Sequence, residues 1–220
     1  DFLRKKIFKP LGMTDSGVDD SSRPRKHEAL GYSYSNEQFT RAVSLDPSWT
    51  IGTGNLYATV EDLNKWNEAI FNGRVLKPAS LKSAFSPAKT LENEDDDSGD
   101  GYGYGWFVSH WRGLLEMSHG GYLPGFNSFL LRIPKEKFTV IVLANSGPGA
   151  HHVVPDTLGQ DLVEIYLRDK LAPLPVPNPA VTPKAFDALT GRYEFRGQIV
   201  LITTDGTHLY GQFEGEPKIE

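Results

Sequence analysis

Apolar residues recur at helical spacing in the first part of this chain and at alternate positions in its middle, so the pattern predicts helices first and strands later. Phe2, Leu3, Ile7 and Phe8 stand between basic residues and predict a helical stripe over 1–9, ended by Pro10 and Gly12. Residues 14–58 show no period and read as irregular. Thr59-Val60-Glu61-Asp62 predicts a helix start, with Thr59 as cap and acids in the first turn. Leu63, Trp66, Ile70 and Phe71 form its expected buried face, and Asn72-Gly73 its end. A short helix is expected over 78–85. The period then falls to two, predicting strands over 103–109, 113–119, 126–133 and 137–144, with Pro134-Lys135-Glu136-Lys137 as a hairpin connection. A helix follows over 156–169, with Leu158, Leu162, Ile165 and Tyr166 on one face and Asp156 as its cap.

Helices, then strands, then a helix to cover them predict an α+β fold, an antiparallel sheet flanked by helices. Residues 172–183 hold five prolines and read as a stiff linker. Beyond it Gly191-Arg192-Tyr193-Glu194, Ile199-Val200-Leu201-Ile202-Thr203 and His208-Leu209-Tyr210-Gly211-Gln212-Phe213 predict short strands. The expected domains are therefore 1–171, the linker 172–183, and the start of a β-rich module over 184–220. The chain opens inside an amphipathic pattern, on Asp1-Phe2-Leu3-Arg4, and is expected to begin within a longer protein.

Composition narrows the function classes. At 220 residues, 39% hydrophobic and 23% charged, the chain carries enough apolar material for one substantial core. Net charge is −5 and the basic residues are scattered, so a nucleic-acid partner is not expected. Arg4-Lys5-Lys6 reads as a solvated helix face. With no cysteine, a cysteine nucleophile, a thiolate metal site and a disulfide framework are excluded. No run approaches the roughly 20 apolar residues of a membrane span.

The chemistry concentrates at Ser118-His119-Gly120-Gly121-Tyr122-Leu123-Pro124-Gly125-Phe126, where a strand meets a glycine-rich turn. Paired glycines let a substrate approach the backbone, and a histidine beside them exchanges protons near neutral pH. A histidine in a hairpin also serves purely structural ends, and the residues alone leave both readings open. Tyr102, Tyr104 and Trp106 alternate with glycine and read as one face of a packed strand, any one of them a candidate for the cleft wall. Asp96, Ser98, Asp100 and Gly101 partly mimic a calcium loop, but Phe107 stands where the closing glutamate belongs. His151-His152 lack a third ligand nearby. Neither a metal nor a cofactor is expected.

Five stretches, in order, resemble the superfamily of class C β-lactamases, penicillin-binding proteins and esterases. They are Ile7 to Ser16, with Pro10-Leu11-Gly12-Met13; Ala29-Leu30-Gly31-Tyr32; Gly52 to Leu63; Gly101-Tyr102-Gly103-Tyr104-Gly105-Trp106; and His119-Gly120-Gly121 with Pro124-Gly125-Phe126. Asn55 departs from the family's usual glycine. The resemblance implies a serine hydrolase in which the serine of an S-x-x-K box attacks an amide or ester carbonyl. Its lysine and the tyrosine of a Y-x-N box move the proton. It implies that His119 occupies the third box on a sheet-edge strand and that the Tyr122 N–H supplies half of the oxyanion hole. His119 and Tyr122 are thus the expected catalytic positions, and Ser118, Gly120 and Gly121 the expected substrate-binding ones.

Tyr34-Ser35-Asn36 and Ser86-Pro87-Ala88-Lys89 spell the other two boxes. They occur in the wrong order and on the wrong side of the first stretch, and Ser86 reads as a helix N-cap with Pro87 behind it. The nucleophile is therefore expected upstream of this chain, leaving it inactive alone. The resemblance implies a small-molecule or peptide substrate (a β-lactam, a D-amino-acid peptide or an ester) and a periplasmic or secreted location. The alternative is a non-catalytic protein of the same fold that binds peptidoglycan or a partner. The tail, with Gly191-Arg192-Tyr193 and Leu209-Tyr210-Gly211-Gln212, resembles a lipocalin-like C-terminal module.

Overall fold

The computed structural model describes residues 2–19, 27–88, 99–147, 154–174, 185–195, 198–213 and 218. Pro10 does not end the first helix. A π-helical turn over Arg4–Phe8 runs into α1 (Lys9–Leu11), which closes on Gly12 at φ 68°. The backbone widens to i→i+5 pairing, Lys9 N–H to Arg4 O and Met13 N–H to Phe8 O, so the proline needs no partner for its missing N–H.

Residues 14–58 are more ordered than their sequence predicts. β1 (Gly17–Val18) pairs with β4 (Leu56–Tyr57), and β2 (Tyr32–Ser35) forms a hairpin with β3 (Gln38–Arg41). Asn36 and Glu37 both take positive φ at its turn, as a two-residue hairpin requires. A 3-10 turn, Pro47–Thr50, is capped by Asp46, whose carboxylate accepts from Ser48 N–H at 2.9 Å.

α2 (Val60–Phe71) starts as expected, Thr59 Oγ1 accepting from Asp62 N–H at 3.2 Å, and stops at Asn72 and Gly73. Its buried face is different. Asp62, Asn67, Ala69 and Ile70 are buried, while Leu63, Trp66 and Phe71 are half-buried. α3 (Pro78–Ala84) follows, and Phe85 beyond it stacks on Phe71 at 4.9 Å between centroids, with Trp106 edge-on to both.

The main sheet is antiparallel, in the order β5 (Gly101–Tyr102), β6 (Phe107–Trp111), β7 (Leu114–Leu123), β8 (Phe126–Ile133), β9 (Phe138–Ala144). The strand expected over 103–109 is broken, because Gly103 N–H bonds Trp106 O at 2.8 Å and Gly105 turns at φ 77°. Tyr102, Tyr104 and Trp106 therefore do not share a strand face, and Tyr104 is 80% exposed. Pro134–Lys137 turns β8 into β9.

α4 (Pro155–Tyr166) covers one face of the sheet, where Leu114, Phe129, Leu131, Ile133, Val140, Val163 and Leu171 form the core. The helix lies rotated from the expected face. Pro155, Gly159 and Val163 are buried, and Leu158, Ile165 and Tyr166 are exposed. Gly159 sets that rotation, since a Cβ there would stand 2.7 Å from the Phe129 ring. Asp156 is not the cap: Val154 holds that position, and Asp156 sits in the first turn.

α2 packs against the opposite face, where polar groups lie beside buried Val108 and Met117. Buried Arg132 of β8 donates to Glu68 and to Thr139 Oγ1, which also accepts from Asn67 Nδ2 at 2.8 Å. Residues 1–172 and 173–220 form two compact units. The second holds an antiparallel sheet of β10 (Gly191–Phe195), β11 (Gln198–Thr204) and β12 (Leu209–Phe213). Of the expected linker only 172–174 lie within the described residues, without helix or strand.

Candidate active site

Three of the sequence stretches meet at the tip of the β7–β8 hairpin. Gly125 turns at φ 81°, and a Cβ on it would strike the Ala42 side chain at 2.5 Å and the Gly31 backbone at 2.8 Å. A Cβ on Gly31 would meet the Phe126 ring at 2.7 Å, and Gly54 lies against Leu123. The segment around Gly31 is tied to the sheet by Tyr32 N–H to Asn145 O at 3.0 Å and Asn145 Nδ2 to Leu30 O at 3.0 Å. Glycine is needed at Gly31 and Gly125 because their two segments approach too closely for a side chain.

Another junction is Asp62. Its fully buried carboxylate accepts from Asp15 N–H (2.8 Å), Ser16 Oγ (2.8 Å) and Lys65 Nζ (2.7 Å), locking the Pro10-Leu11-Gly12-Met13 segment to α2. Burial alone would raise its pKa. The hydrogen bonds from Lys65, Ser16 and Asp15 and the lysine charge outweigh burial and hold it below the ordinary carboxylate value.

β7 is not an edge strand along its whole length. Over 114–118 it lies between β6 and β8, and the β6 pairing stops at Phe107↔Ser118. From His119 to Leu123 only β8 pairs with it among the described residues, so the edge is local. The two-residue turn at Pro124-Gly125 sets the alternation. The backbone groups of His119, Gly121 and Leu123 turn to β8, and those of Gly120 and Tyr122 turn to the open edge.

Side chains alternate too, which separates the expected site residues. By register His119 and Gly121 point toward the α2 face and Ser118, Gly120 and Tyr122 toward the α4 face, but the His119 ring lies at the open edge against Tyr102 and Phe107, whose register is that of Ser118. His119 is exposed. Its Nδ1 lies 2.5 Å from Gly120 O, and its Nε2 lies 3.0 Å from the Tyr102 hydroxyl. The Tyr102 ring meets Phe107 edge-on at 4.8 Å. Ser118 is buried and lines a cavity of about 410 Å³ on the other face, with Glu116, Gly120, Ser128, Asp156 and Gln160. Burial pushes the Glu116 carboxyl above its ordinary value; a bond from Ser109 opposes this and the charge of Asp100 adds to it. The sequence reading missed Glu116 and named Tyr102 only as one of three aromatic candidates for the cleft wall, within the Gly101–Trp106 stretch.

Tyr34 packs on Phe39 in the β2–β3 hairpin, and Asn36 is its turn residue. Ser86 is not an N-cap: it follows α3 and donates to Lys82 O at 2.8 Å. Lys89, His151, His152, Asp96 and Ser98 lie outside the described residues. Asp100 meets His110 Nδ1 at 2.6 Å. Among the described residues no group of three potential metal ligands occurs, and no helix is long and apolar enough to cross a membrane.

Comparison with known proteins places this geometry. Residues 1–164 match the family model described as Beta-lactamase. Penicillin-binding protein 4* of Bacillus subtilis is 26% identical over 247 residues, covering 100% of this chain and 51% of that protein. Protein flp of Staphylococcus aureus is 28% identical over 149 residues, covering 66% of this chain and 28% of its own length. The chain thus spans about half or less of these relatives' lengths. In fold it is similar to the octameric penicillin-binding protein homologue from Pyrococcus abyssi (TM-score 0.62, 21% identity, 99% of this chain and 49% of that one). It is also similar to the D-amino acid amidase from Ochrobactrum anthropi complexed with D-phenylalanine (TM-score 0.55, 24% identity, 76% and 52%). With three quarters of its length matched by that family model, this chain belongs to the β-lactamase family.

Proposed function

We propose that this chain is the C-terminal part of a serine acyl hydrolase and supplies one wall of its cleft, the nucleophile lying on a segment outside these 220 residues. The observation that carries the reading is the local edge of β7. There the Tyr122 N–H faces away from β8, one residue past Gly120-Gly121 and beside His119. An N–H fixed in a sheet and turned outward suits the developing oxyanion of an attacked carbonyl, because it needs no reorganisation as charge builds. A Cβ on Gly121 would meet the cross-strand Ser128 Oγ at 2.8 Å, so glycine leaves the strand bare beside this N–H. A small acyl substrate fits, namely a β-lactam, an ester or a D-amino-acid amide or peptide. The amidase fold neighbour favours the last class.

Residues 1–171 form the hydrolase portion of this reading, 172–183 a linker and 184–220 the start of a β-rich, lipocalin-like module. The division into compact units at 172/173 supports that boundary.

Two measurements test the proposal. Intact mass of the 220-residue chain after fluorescent penicillin or a fluorophosphonate should show no adduct, and a stoichiometric adduct on Ser86 overturns it. In the protein that carries the nucleophile, His119→Ala should lower kcat/KM by roughly 10²-fold. Unchanged activity per folded molecule, with a lower Tm, makes His119 a turn residue.

A further inference from the structure

We infer that Tyr102 is the group through which His119 acts, so that a phenolic hydroxyl, and not the imidazole itself, faces the cleft. The inference rests on the reading of His119 above and changes which atom meets the reacting groups.

Both ring nitrogens of His119 are occupied. Nδ1 lies 2.5 Å from Gly120 O. A carbonyl only accepts, so Nδ1 carries a proton in either charge state. Nε2 is then the only nitrogen whose protonation can change, and the Tyr102 hydroxyl sits on it at 3.0 Å. With the imidazole neutral, Tyr102 donates into the Nε2 lone pair. With the imidazole protonated, Nε2–H donates to the tyrosine oxygen, and the tyrosine proton turns outward. The hydroxyl is thus a two-position element set by the charge on His119.

Tyr102 is held for this task. β5 pairs with β6 through Tyr102↔Phe107, the next ladder position after Phe107↔Ser118, where the β6 side of β7 ends. The phenol therefore stands beside the open edge that bears the Tyr122 N–H. Its ring packs edge-on against Phe107, and Tyr102 remains 42% exposed, so solvent and small ligands reach it. Ala88 N–H, bonded to Tyr102 O at 2.9 Å, fixes the backbone from the other side.

The proton balance is simple. A hydroxyl in the cleft gives its proton to the Tyr102 oxygen while Tyr102 passes its own to Nε2. One O–H bond breaks at the cleft hydroxyl and one at tyrosine; one O–H forms at tyrosine and one N–H at Nε2. Tyrosine stays neutral, the imidazole becomes charged, and the cleft hydroxyl becomes the alkoxide. The reverse sequence protonates a leaving group.

The test uses the 220-residue chain, ¹⁵N-labelled at histidine, as wild type and as Tyr102→Phe. With the imidazole neutral, wild-type His119 should show the Nδ1–H tautomer, with its Nε2 resonance moved upfield by the donated hydrogen bond. Tyr102→Phe should move Nε2 downfield, leave Nδ1–H in place, and speed carbethoxylation of His119 by diethyl pyrocarbonate several-fold. An unchanged His110 resonance, from the Asp100 pair on β6, shows that the sheet is intact. An unchanged Nε2 shift with unchanged reactivity overturns the inference, as does an Nε2–H tautomer in the wild type. The two proposals fail separately. If Nε2 responds to Tyr102→Phe but His119→Ala leaves kcat/KM intact, the assigned function falls and the Tyr102 bond stands. If His119→Ala costs activity while Nε2 ignores Tyr102→Phe, only the relay falls.

Discussion

The two faces of the main sheet are held by different forces. Under α4 the contact is apolar, with Leu131, Ile133 and Val163 almost wholly excluded from water. Under α2 buried apolar Val108 and Met117 are joined by polar groups, Asn67 and Arg132 acting through directed hydrogen bonds on Thr139, while Asp62 ties α2 to Asp15 and Ser16. The apolar face stabilises in proportion to buried area and accepts many arrangements. The polar face admits few arrangements, because each buried donor or acceptor needs its partner. The difference teaches that one face of this sheet is held chiefly by buried apolar area and the other by directed bonds as well.

The largest effect should come from the apolar side. Leu131 is 0% exposed, and Leu131→Ala should cost roughly 3–4 kcal/mol in urea unfolding through the cavity it leaves. A loss under about 1 kcal/mol would mean that this face is not the main source of stability.

Asp62→Ala should cost roughly 2–3 kcal/mol, since Asp15 N–H and Ser16 Oγ lose their acceptor and Lys65 its counter-charge. By contrast Arg132→Met should cost within about 1 kcal/mol. The apolar stem is kept, Glu68 is partly solvated, and Arg132 Nε lacks a partner among the described residues. A loss from Arg132→Met as large as that from Asp62→Ala would show that the polar face depends on the ion pair instead of on the Asp62 junction.

The two faces should also answer pH in opposite senses. Asp62 has a lowered folded-state pKa, so its contribution is present above the ordinary carboxylate value and is lost as pH falls through the folded one. Glu116, on the α4 side, has a raised folded-state pKa. Its contribution is present below the ordinary value and is lost as pH rises through the folded one. Asp62→Asn should therefore flatten the acid limb of a Tm-versus-pH curve, and Glu116→Gln the limb just above the glutamate range. Both variants flattening the same limb would break the comparison.

The smallest change should follow His119→Ala, within about 0.5 kcal/mol of wild-type stability by the same urea titration, because the side chain is exposed. A larger loss would move His119 from the cleft into the scaffold.

Some of this was legible in one dimension. Thr59, Asn72-Gly73 and Pro134–Lys137 act through their own neighbours, so local chemistry announced them. The order of the five stretches indicated the family, and their meeting points explain why those residues recur together. Gly31, Gly54 and Gly125 crowd one hairpin tip, and Asp62 grips Asp15 and Ser16. Other features were not legible. The β2–β3 hairpin turns on Asn36-Glu37 without a glycine and has too little apolar alternation to stand out. A hydrophobic stripe reported the wrong side of α4, because Gly159 under the Phe129 ring outweighs exposed Leu158 and Ile165.

The sequence by itself determined where α2 starts and stops, where β8 turns into β9, that the elements form an α+β fold with an antiparallel sheet, and where His119-Gly120-Gly121 sits in the chain. Those properties depend on spacing, caps and turns, all of which act within a few residues. Only the tertiary structure decided which way each group turns. Among the described residues the β6 pairing stops at Ser118 and leaves β7 an edge from His119 onward, and Tyr102 arrives from 17 residues away to occupy His119 Nε2. Such choices depend on the register between strands and on packing across the sheet, and no local pattern encodes either.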